Sequence, residues 1–152
     1  MPGAKYVANG EQNLASSRIT ALSVVANAST GHRGWVNEAY FGNEGTPADL
    51  AGTYLVERCT TDGAGSAVTS GLPDQADRAA QAVSKENSTT EPTYTSNEIM
   101  LELPLNHRGT YRWVAPPGGD WVWPATANNG FGGNSLHASA TTLFRVGMYW
   151  TE

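Results

Sequence analysis

Hydrophobic and polar residues alternate along much of this chain with a period of two, the spacing that places one face of a β-strand in a core. In segment 97–106, NEIMLELPLN, four aliphatic residues share the odd positions: Ile99, Leu101, Leu103 and Leu105. Segment 141–150, TTLFRVGMYW, carries four large side chains on the even positions: Phe144, Val146, Met148 and Trp150. Both segments are predicted strands. Because Pro104 cannot donate a hydrogen bond to a neighbouring strand, we expect the first to bend there or to lie at a sheet edge.

Weaker alternation marks further strands nearer the N-terminus. Segment 17–28, SRITALSVVANA, changes parity between Ile19 and Leu22, which predicts a bulge or a bend. Segments 35–43 and 53–61 are the next two predicted strands, with a turn-rich loop between them. Together with the short segments on either side of the turn APPGGD, the pattern predicts roughly seven or eight strands, with turn signals about every 8–12 residues.

Many short strands separated by turns predict an all-β fold, an antiparallel β-sandwich. Its wiring is expected to be that of a jelly roll or of an immunoglobulin domain, and the absence of a Cys…Trp…Cys pattern favours the jelly roll. Residues 1–16 show no clear periodicity and are expected to form an irregular N-terminal arm, which leaves 17–152 as a single sandwich domain. Residues 72–87 carry enough Ala and Gln for a short helix; alternatively they form a loop whose second half is a strand.

Three of the five tryptophans lie close together in the segment 109–130, GTYRWVAPPGGDWVWPATANNG. We expect Arg112–Val114 and Trp121–Trp123 to pair as a hairpin across the loop 115–120. In that register Trp121 and Trp123 share one face with Arg112, and Trp113 lies on the other face. A slip of one residue would bring the three indoles together, and the sequence does not fix the register.

The aromatic cluster has three interpretations: core residues, a protein–protein contact, or a platform for stacking a sugar. Trp, Tyr and Arg dominate the energetically important positions of protein interfaces. We therefore select five candidate residues for an oligomer interface: Tyr111, Arg112, Trp113, Trp121 and Trp123.

The composition narrows the class of partner. The net charge is −5 with nine scattered basic residues, which argues against nucleic acid, because Lys and Arg supply most of the affinity for phosphates. No apolar run approaches the length of a membrane span or forms the core of a signal peptide, so we expect no membrane partner and synthesis in the cytoplasm. The single cysteine, Cys59, excludes an internal disulfide. A charged fraction of only 15% fits a surface that contacts other proteins.

No constellation of catalytic or cofactor-binding residues is visible in the sequence. The histidines His32, His107 and His137 are isolated and lack the spacing of metal ligands. The glycine-rich stretches lack the lysine and hydroxyl of a phosphate-binding loop, and no nucleophile elbow occurs. We therefore expect a structural or binding protein with no cofactor and no metal, and not an enzyme.

A family resemblance rests on the order of several short phrases: TPAD at 46–49, EPTYT at 91–95, and RGTYRWVAPPGG followed by WPATANNG in 108–130. In this order the chain resembles the jelly-roll capsid decoration proteins, also called cement proteins, of tailed bacteriophages. The resemblance covers about residues 17–152. It implies a structural virion protein on the outer capsid surface, synthesised in the cytoplasm of the bacterial host.

The resemblance also implies a homotrimer that clamps the major capsid protein at three-fold and quasi-three-fold positions between capsomers. The aromatic hairpin is the candidate for the trimer contact, and Lys5 and Tyr6 of the N-terminal arm are candidates for the capsid contact. Two other functions stay open: a carbohydrate- or receptor-binding β-sandwich module, and a tail or baseplate component of a phage.

Overall fold

The computed structural model describes residues 3–136 and 142–152, and within them the chain is all-β with no helix. The strands follow one another as β1 (Lys5–Asn13), β2 (Ile19–Val25), β3 (Gly34–Glu44), β4 (Ala51–Cys59), β5 (Ala64–Val68), β6 (Val83–Thr90), β7 (Tyr94–Asn106), β8 (Tyr111–Val114), β9 (Trp121–Trp123), β10 (Gly130–Leu136) and β11 (Leu143–Thr151). All of their pairings are antiparallel. The predicted all-β class is confirmed.

Two sheets pack face to face as a β-sandwich. The first sheet has the order β1-β11-β3-β8, with β9 also paired to β3, and the second has the order β5-β6-β2-β10-β4-β7. Counting β8 and β9 as one strand and leaving out β5 and β6 gives eight strands, which can be renumbered 1 to 8 along the chain. The sheets then read 1-8-3-6 and 2-7-4-5, which is the double Greek key of a jelly roll.

The core forms where the alternating residues of the two inner faces meet. The even residues of β11 are completely buried, as the sequence pattern predicts: Phe144, Val146, Met148 and Trp150. The leucines of β7 pack partly buried against the same core, and β7 is an edge strand, in agreement with the expectation from Pro104. Ile99 leaves the pattern with 41% exposure, because a register shift opposite Val56 and Glu57 reverses the faces.

One expectation for an irregular segment needs correction, and one open alternative is decided. Residues 5–13 are not an irregular arm: they form β1, which pairs over its whole length with β11. Buried and exposed residues do alternate along β1, but two of the buried residues are small, since Ala8 and Gly10 share the inner face with Tyr6. Of the two alternatives for residues 72–87, the structure shows the loop whose second half is a strand: the segment is a loop up to residue 82, and the rest belongs to β6.

The loop before β6 covers the outer edge of β1. Val7 and Gly71 exchange both backbone hydrogen bonds, with N···O distances of 3.1 and 2.7 Å. The side chain of Glu152 accepts hydrogen bonds from the backbone N–H groups of Gln81 and Ala82 at 2.9 and 2.8 Å. These contacts fasten both ends of the loop to the sandwich, and between them a turn closes with a hydrogen bond from the N–H of Asp77 to the carbonyl of Asp74 at 3.1 Å.

Candidate functional site

The tryptophan-rich segment is not a hairpin. β8 and β9 both pair with β3, one after the other: Val114 lies opposite Glu38, and Trp121 lies opposite Val36. Between them the N–H of Ala115 donates to the carbonyl of Asn37 at 2.9 Å. β8 and β9 are therefore one interrupted strand with the loop 115–120 looped out. β3 is long enough to pair both segments, which gives each more ladder hydrogen bonds than a mutual hairpin at the sheet edge.

This arrangement places all three indoles on the inner face of the first sheet. Trp113 lies opposite buried Ala39, Trp121 opposite buried Val36 and Trp123 opposite Gly34. Trp113 and Trp121 stack with ring centroids 3.6 Å apart and planes 10° from parallel. The stacked pair closes the base of the loop 115–120. The contact between the two indoles joins β8 to β9, although no backbone hydrogen bonds pair these two strands.

Trp123 is a core residue, so its expected role in an oligomer interface is wrong. Its side chain has no exposed surface. The indole N–H donates to the carbonyl of His32 at 2.8 Å, and the ring contacts Phe131 and Trp150 at centroid distances of 6.3 and 6.4 Å. The ring lies across Gly34, the glycine opposite it on β3. A tryptophan with a satisfied N–H and apolar neighbours on its faces acts in packing.

The other aromatic residues lie along a free strand edge. Within residues 3–136 and 142–152 no strand pairs with the outer edge of β8 or β9. Tyr111 is 37% exposed and Val114 is 54% exposed, while Trp113 and Trp121 are half-buried. We call these four residues the open edge. Tyr111 and Val114 point to opposite faces of the sheet, because they are three residues apart in one strand.

The open edge lies on the same side of the sandwich as β7. β1 contacts β2 and β6 at one side, so the other ends of the two sheet orders, β8 and β7, share the opposite side. Arg58 of β4 links the sheets near this side: it donates to the carbonyl of Val122 at 2.9 Å and pairs with Glu98 of β7 at 2.5 Å. The half-buried leucines of β7 therefore lie on the same side of the sandwich as the open edge.

Arg112 lies on the outer face of the first sheet, away from the indoles. Its Nε and Nη2 groups donate to the two carboxylate oxygens of Glu38 at 2.6 and 2.8 Å. These hydrogen bonds lower the pKa of Glu38 and raise the pKa of Arg112. Arg112 is thus a surface residue beside the open edge, and its neighbour across the strand is Tyr40.

The structure separates the two residues that were expected to contact a capsid. Lys5 is exposed on the outer face of β1. Tyr6 has no exposed surface: its ring stacks on Trp150 at 5.7 Å, and its hydroxyl donates to the carbonyl of Arg78 at 3.1 Å. The expectation for Tyr6 is therefore wrong, because β1 turns alternate side chains inward and Tyr6 is one of them.

Sequence reasoning missed an aromatic site on the outer face of the first sheet. Tyr40, Gly147 and Asn9 are direct neighbours across β3, β11 and β1. The ring of Tyr40 lies over Gly147, so close that a Cβ atom there would be 2.0 Å from Cζ. Its hydroxyl donates to the side-chain oxygen of Asn9. The available signal was Gly147, a glycine on the outer face of an otherwise regular strand.

A buried polar network on the outer face of the second sheet also escaped the sequence analysis. Thr20 donates its backbone N–H to Glu91 at 3.1 Å, and its hydroxyl contacts both Glu91 and Tyr94. In the same region Glu57, only 4% exposed, accepts a hydrogen bond from Asn134 at 2.8 Å. Burial raises the pKa of the Tyr94 hydroxyl. The network fastens the segment before β7 onto the sheet, which is a structural role.

The titratable residues form no metal site in the part of the chain that the structure describes. No group of three or more His, Cys, Asp or Glu residues lies close enough to hold an ion there. His107 is 1% exposed and His32 contributes its carbonyl to Trp123, while His137 lies outside the described residues. Burial raises the pKa of the Cys59 thiol to about 12. No helix long and apolar enough to cross a bilayer occurs among these residues.

Comparison with known proteins adds no relative: no protein-family model, no curated protein and no solved structure matches the chain. The resemblance to capsid decoration proteins stands on the short phrases of the sequence. The jelly-roll wiring is compatible with that resemblance, but a fold carries many functions.

Proposed function

We propose that this protein is a structural virion protein that decorates and stabilises the outside of a phage capsid as a homotrimer. Its partners are further copies of itself and the major capsid protein, and it reaches the virion after synthesis in the host cytoplasm. The observation that carries the proposal is the open edge, an unpaired strand edge with exposed apolar side chains beside a stacked tryptophan pair.

An uncovered apolar strand edge is a hazard for a soluble protein, because it can pair with any other exposed edge. Natural proteins cover such edges or use them as interfaces. Here Val114 is 54% exposed at the edge itself, and the stack of Trp113 on Trp121 holds the neighbouring surface rigid. Rigid aromatic side chains lose little conformational freedom on binding, which is why they dominate the energetics of interfaces.

A small β-sandwich suits a protein that holds neighbouring capsid subunits together. A trimer that contacts several capsid subunits at once stabilises them by multivalency, so each single contact can be weak. Lys5 is the one candidate for the capsid contact that the structure leaves accessible.

Sedimentation equilibrium tests the trimer. The wild-type chain is expected to sediment with three times the mass of one chain, and Val114→Asp is expected to sediment as a monomer with an unchanged circular dichroism spectrum. Leu136→Asp is the matched control, because Leu136 is 42% exposed on β10, in the other sheet. A monomeric wild type at 100 µM, or a trimer that survives Val114→Asp, would contradict the proposal.

Copy number in purified phage particles tests the placement. Quantitative mass spectrometry of virions from the phage that encodes the chain is expected to give hundreds of copies, with immunogold labelling on the heads. A small multiple of three or six copies, with label on the tail, would instead assign the chain to the tail or baseplate. Absence of the chain from the particles would overturn the proposal.

A further inference from the structure

The outer face of the first sheet holds an aromatic ring in an unusual position for a surface tyrosine. One face of the Tyr40 ring rests directly on the backbone at Gly147, where a Cβ atom would lie 2.0 Å from Cζ and 2.3 Å from the hydroxyl oxygen. The hydrogen bond from its hydroxyl to Asn9 fixes the ring in this position. Tyr40 is half-buried on the outer face, with the ring of Tyr149 tilted beside it at a centroid distance of 6.5 Å, so part of the ring is accessible from solvent while Asn9 holds its hydroxyl.

A concave site adjoins this ring. A cavity of about 330 Å³ lies beside Gly42 at this end of β3. Three of its lining residues, Tyr40, Arg112 and Arg145, have their side chains on the outer face, and it is also lined by Phe41, Asn43, Thr110 and Tyr111. Gly42 follows Tyr40 by two residues on β3 and therefore faces the same way. Since neither Gly42 nor Gly147 carries a side chain, the sheet surface is open beside the ring. The volume is at the lower end of the range of small-molecule sites, about 300–1,000 Å³.

The charged groups around the cavity are paired with one another within the protein. Arg112 is paired with both carboxylate oxygens of Glu38. Arg145 is paired with Glu11 at 2.7 Å and with Glu44. Two guanidinium groups thus face three carboxylates, and the whole chain carries a net charge of −5. An anionic ligand would meet uncompensated negative charge here, so the site favours a neutral one.

The same ion pairs set the polar groups of the site in fixed directions. Arg112 uses Nε and Nη2 for Glu38, which leaves the N–H groups of Nη1 with no acceptor among the described residues. A planar guanidinium with free N–H groups suits a pair of neighbouring hydroxyl groups. A flat aromatic face attracts the weakly positive C–H groups of a ring lying on it, because the face of its π-system is negative.

From this geometry we propose that the outer face of the first sheet, at Tyr40, Gly42, Arg112 and Arg145, binds a neutral hexopyranose of a glycan. The C–H face of the sugar stacks on Tyr40, and its hydroxyl groups bond to Arg112 and to the carboxylates around it. The side chains that contact the sugar lie on the outer face; Tyr111 lines the cavity and also belongs to the open edge, so the two sites adjoin each other. This function is separate from capsid decoration.

NMR titration of the ¹⁵N-labelled protein with methyl glucoside, galactoside and mannoside, each up to 50 mM, tests the proposal. At least one is expected to shift the backbone signals of Gly42 and Gly147 in a saturable way. Methyl glucuronide, which carries a carboxylate, is expected to bind at least about fivefold more weakly than the matching neutral sugar. No saturable shift with any of the three neutral sugars, or tighter binding of the glucuronide, would overturn the assignment.

Three variants locate the site. Tyr40→Ala is expected to weaken binding about tenfold, the upper range of one aromatic contact. Gly147→Ala keeps the tyrosine but lifts its ring from the sheet, and it is expected to weaken binding similarly. Trp35→Ala is the matched control, an outer-face aromatic of the same strand that does not line the cavity, and it is expected to bind as wild type. An equal loss of sugar affinity in all three variants, or full binding by Gly147→Ala, would refute the location. If Tyr40→Ala does not fold, the location is tested by mapping the sugar-induced shifts in the wild-type protein.

Discussion

Replacing Gly34 by alanine tests how the interrupted strand is packed onto β3. Gly34 lies opposite Trp123, and a Cβ atom at this position would be 2.1 Å from Cζ2 and 2.5 Å from both Cε2 and Cη2 of the indole. Trp123 is completely buried and has Phe131 and Trp150 beside it. The ring therefore has no room to retreat, and either the indole or the backbone of β3 must shift.

The expected cost follows from the displaced ring. Overpacking a core by one methyl group costs about 1–3 kcal/mol, and losing the hydrogen bond from Trp123 to the carbonyl of His32 costs about 0.5–1.5 kcal/mol. Alanine in place of glycine returns up to about 1 kcal/mol, because the unfolded chain is less flexible. The free energy of unfolding should fall by about 2–3 kcal/mol, which for a chain of this size lowers Tm by roughly 4–12 °C.

Urea unfolding followed by tryptophan fluorescence measures the change. The urea midpoint of Gly34→Ala is expected to fall by about 1–1.5 M if the slope is about 2 kcal/mol per molar urea. Gly42→Ala is the matched control on the same strand, because its Cβ would meet only the exposed Thr110 side chain, at 3.3 Å. It is expected to stay within about 0.5 kcal/mol of wild type.

A double mutant separates the ring contact from other effects of the substitution. In a Trp123→Leu background the indole is gone, so adding Gly34→Ala should cost much less than it does in the wild type. If Gly34→Ala is no less stable than Gly42→Ala, or if its cost is the same in both backgrounds, the packing of Trp123 on Gly34 is refuted.

Four further predictions concern the ionisable and buried polar groups. Asn134→Ala removes the shorter of two hydrogen bonds to buried Glu57 and leaves only the one from Arg18, so it is expected to cost about 1–3 kcal/mol in urea unfolding; an unchanged midpoint contradicts this. Cys59 should resist iodoacetamide at pH 8 until the chain unfolds, because burial raises the pKa of its thiol to about 12. Stability should also fall as the pH rises above 9, since the unfolded thiol ionises first, and Cys59→Ala should flatten that fall. Arg112→Gln should raise the lowered pKa of Glu38 toward its ordinary value in a carboxyl NMR titration; no change would show that another group lowers it.

The strands that could be predicted are those whose own alternation is strong. The sequence pattern predicts the inner faces of β11 and β7, because large apolar residues alternate with polar ones in both strands. β1 could not be recognised in the same way, since Ala8 and Gly10 are small, and its inner face shows only when β2 is packed against it.

The candidate site was predicted in part. Tyr111, Trp113 and Trp121 do lie together along an accessible strand, but Trp123 is in the core. The difference comes from the partner strand: the hairpin assumption pairs β8 with β9, whereas both pair with β3. A local pattern cannot reveal a partner about 70–90 residues away in the chain, because the choice depends on which ladder yields more contacts overall.

The sequence alone determined the β class, the faces of the strongly alternating strands and the electrostatic character of the chain, because these follow from residue type and spacing. Tertiary structure alone decided which strands became neighbours. That choice set Tyr40 over Gly147, joined Glu57 to Asn134 and aligned the three indoles on one face. Such contacts join residues far apart in the chain, and their free energy exists only once both sheets have formed.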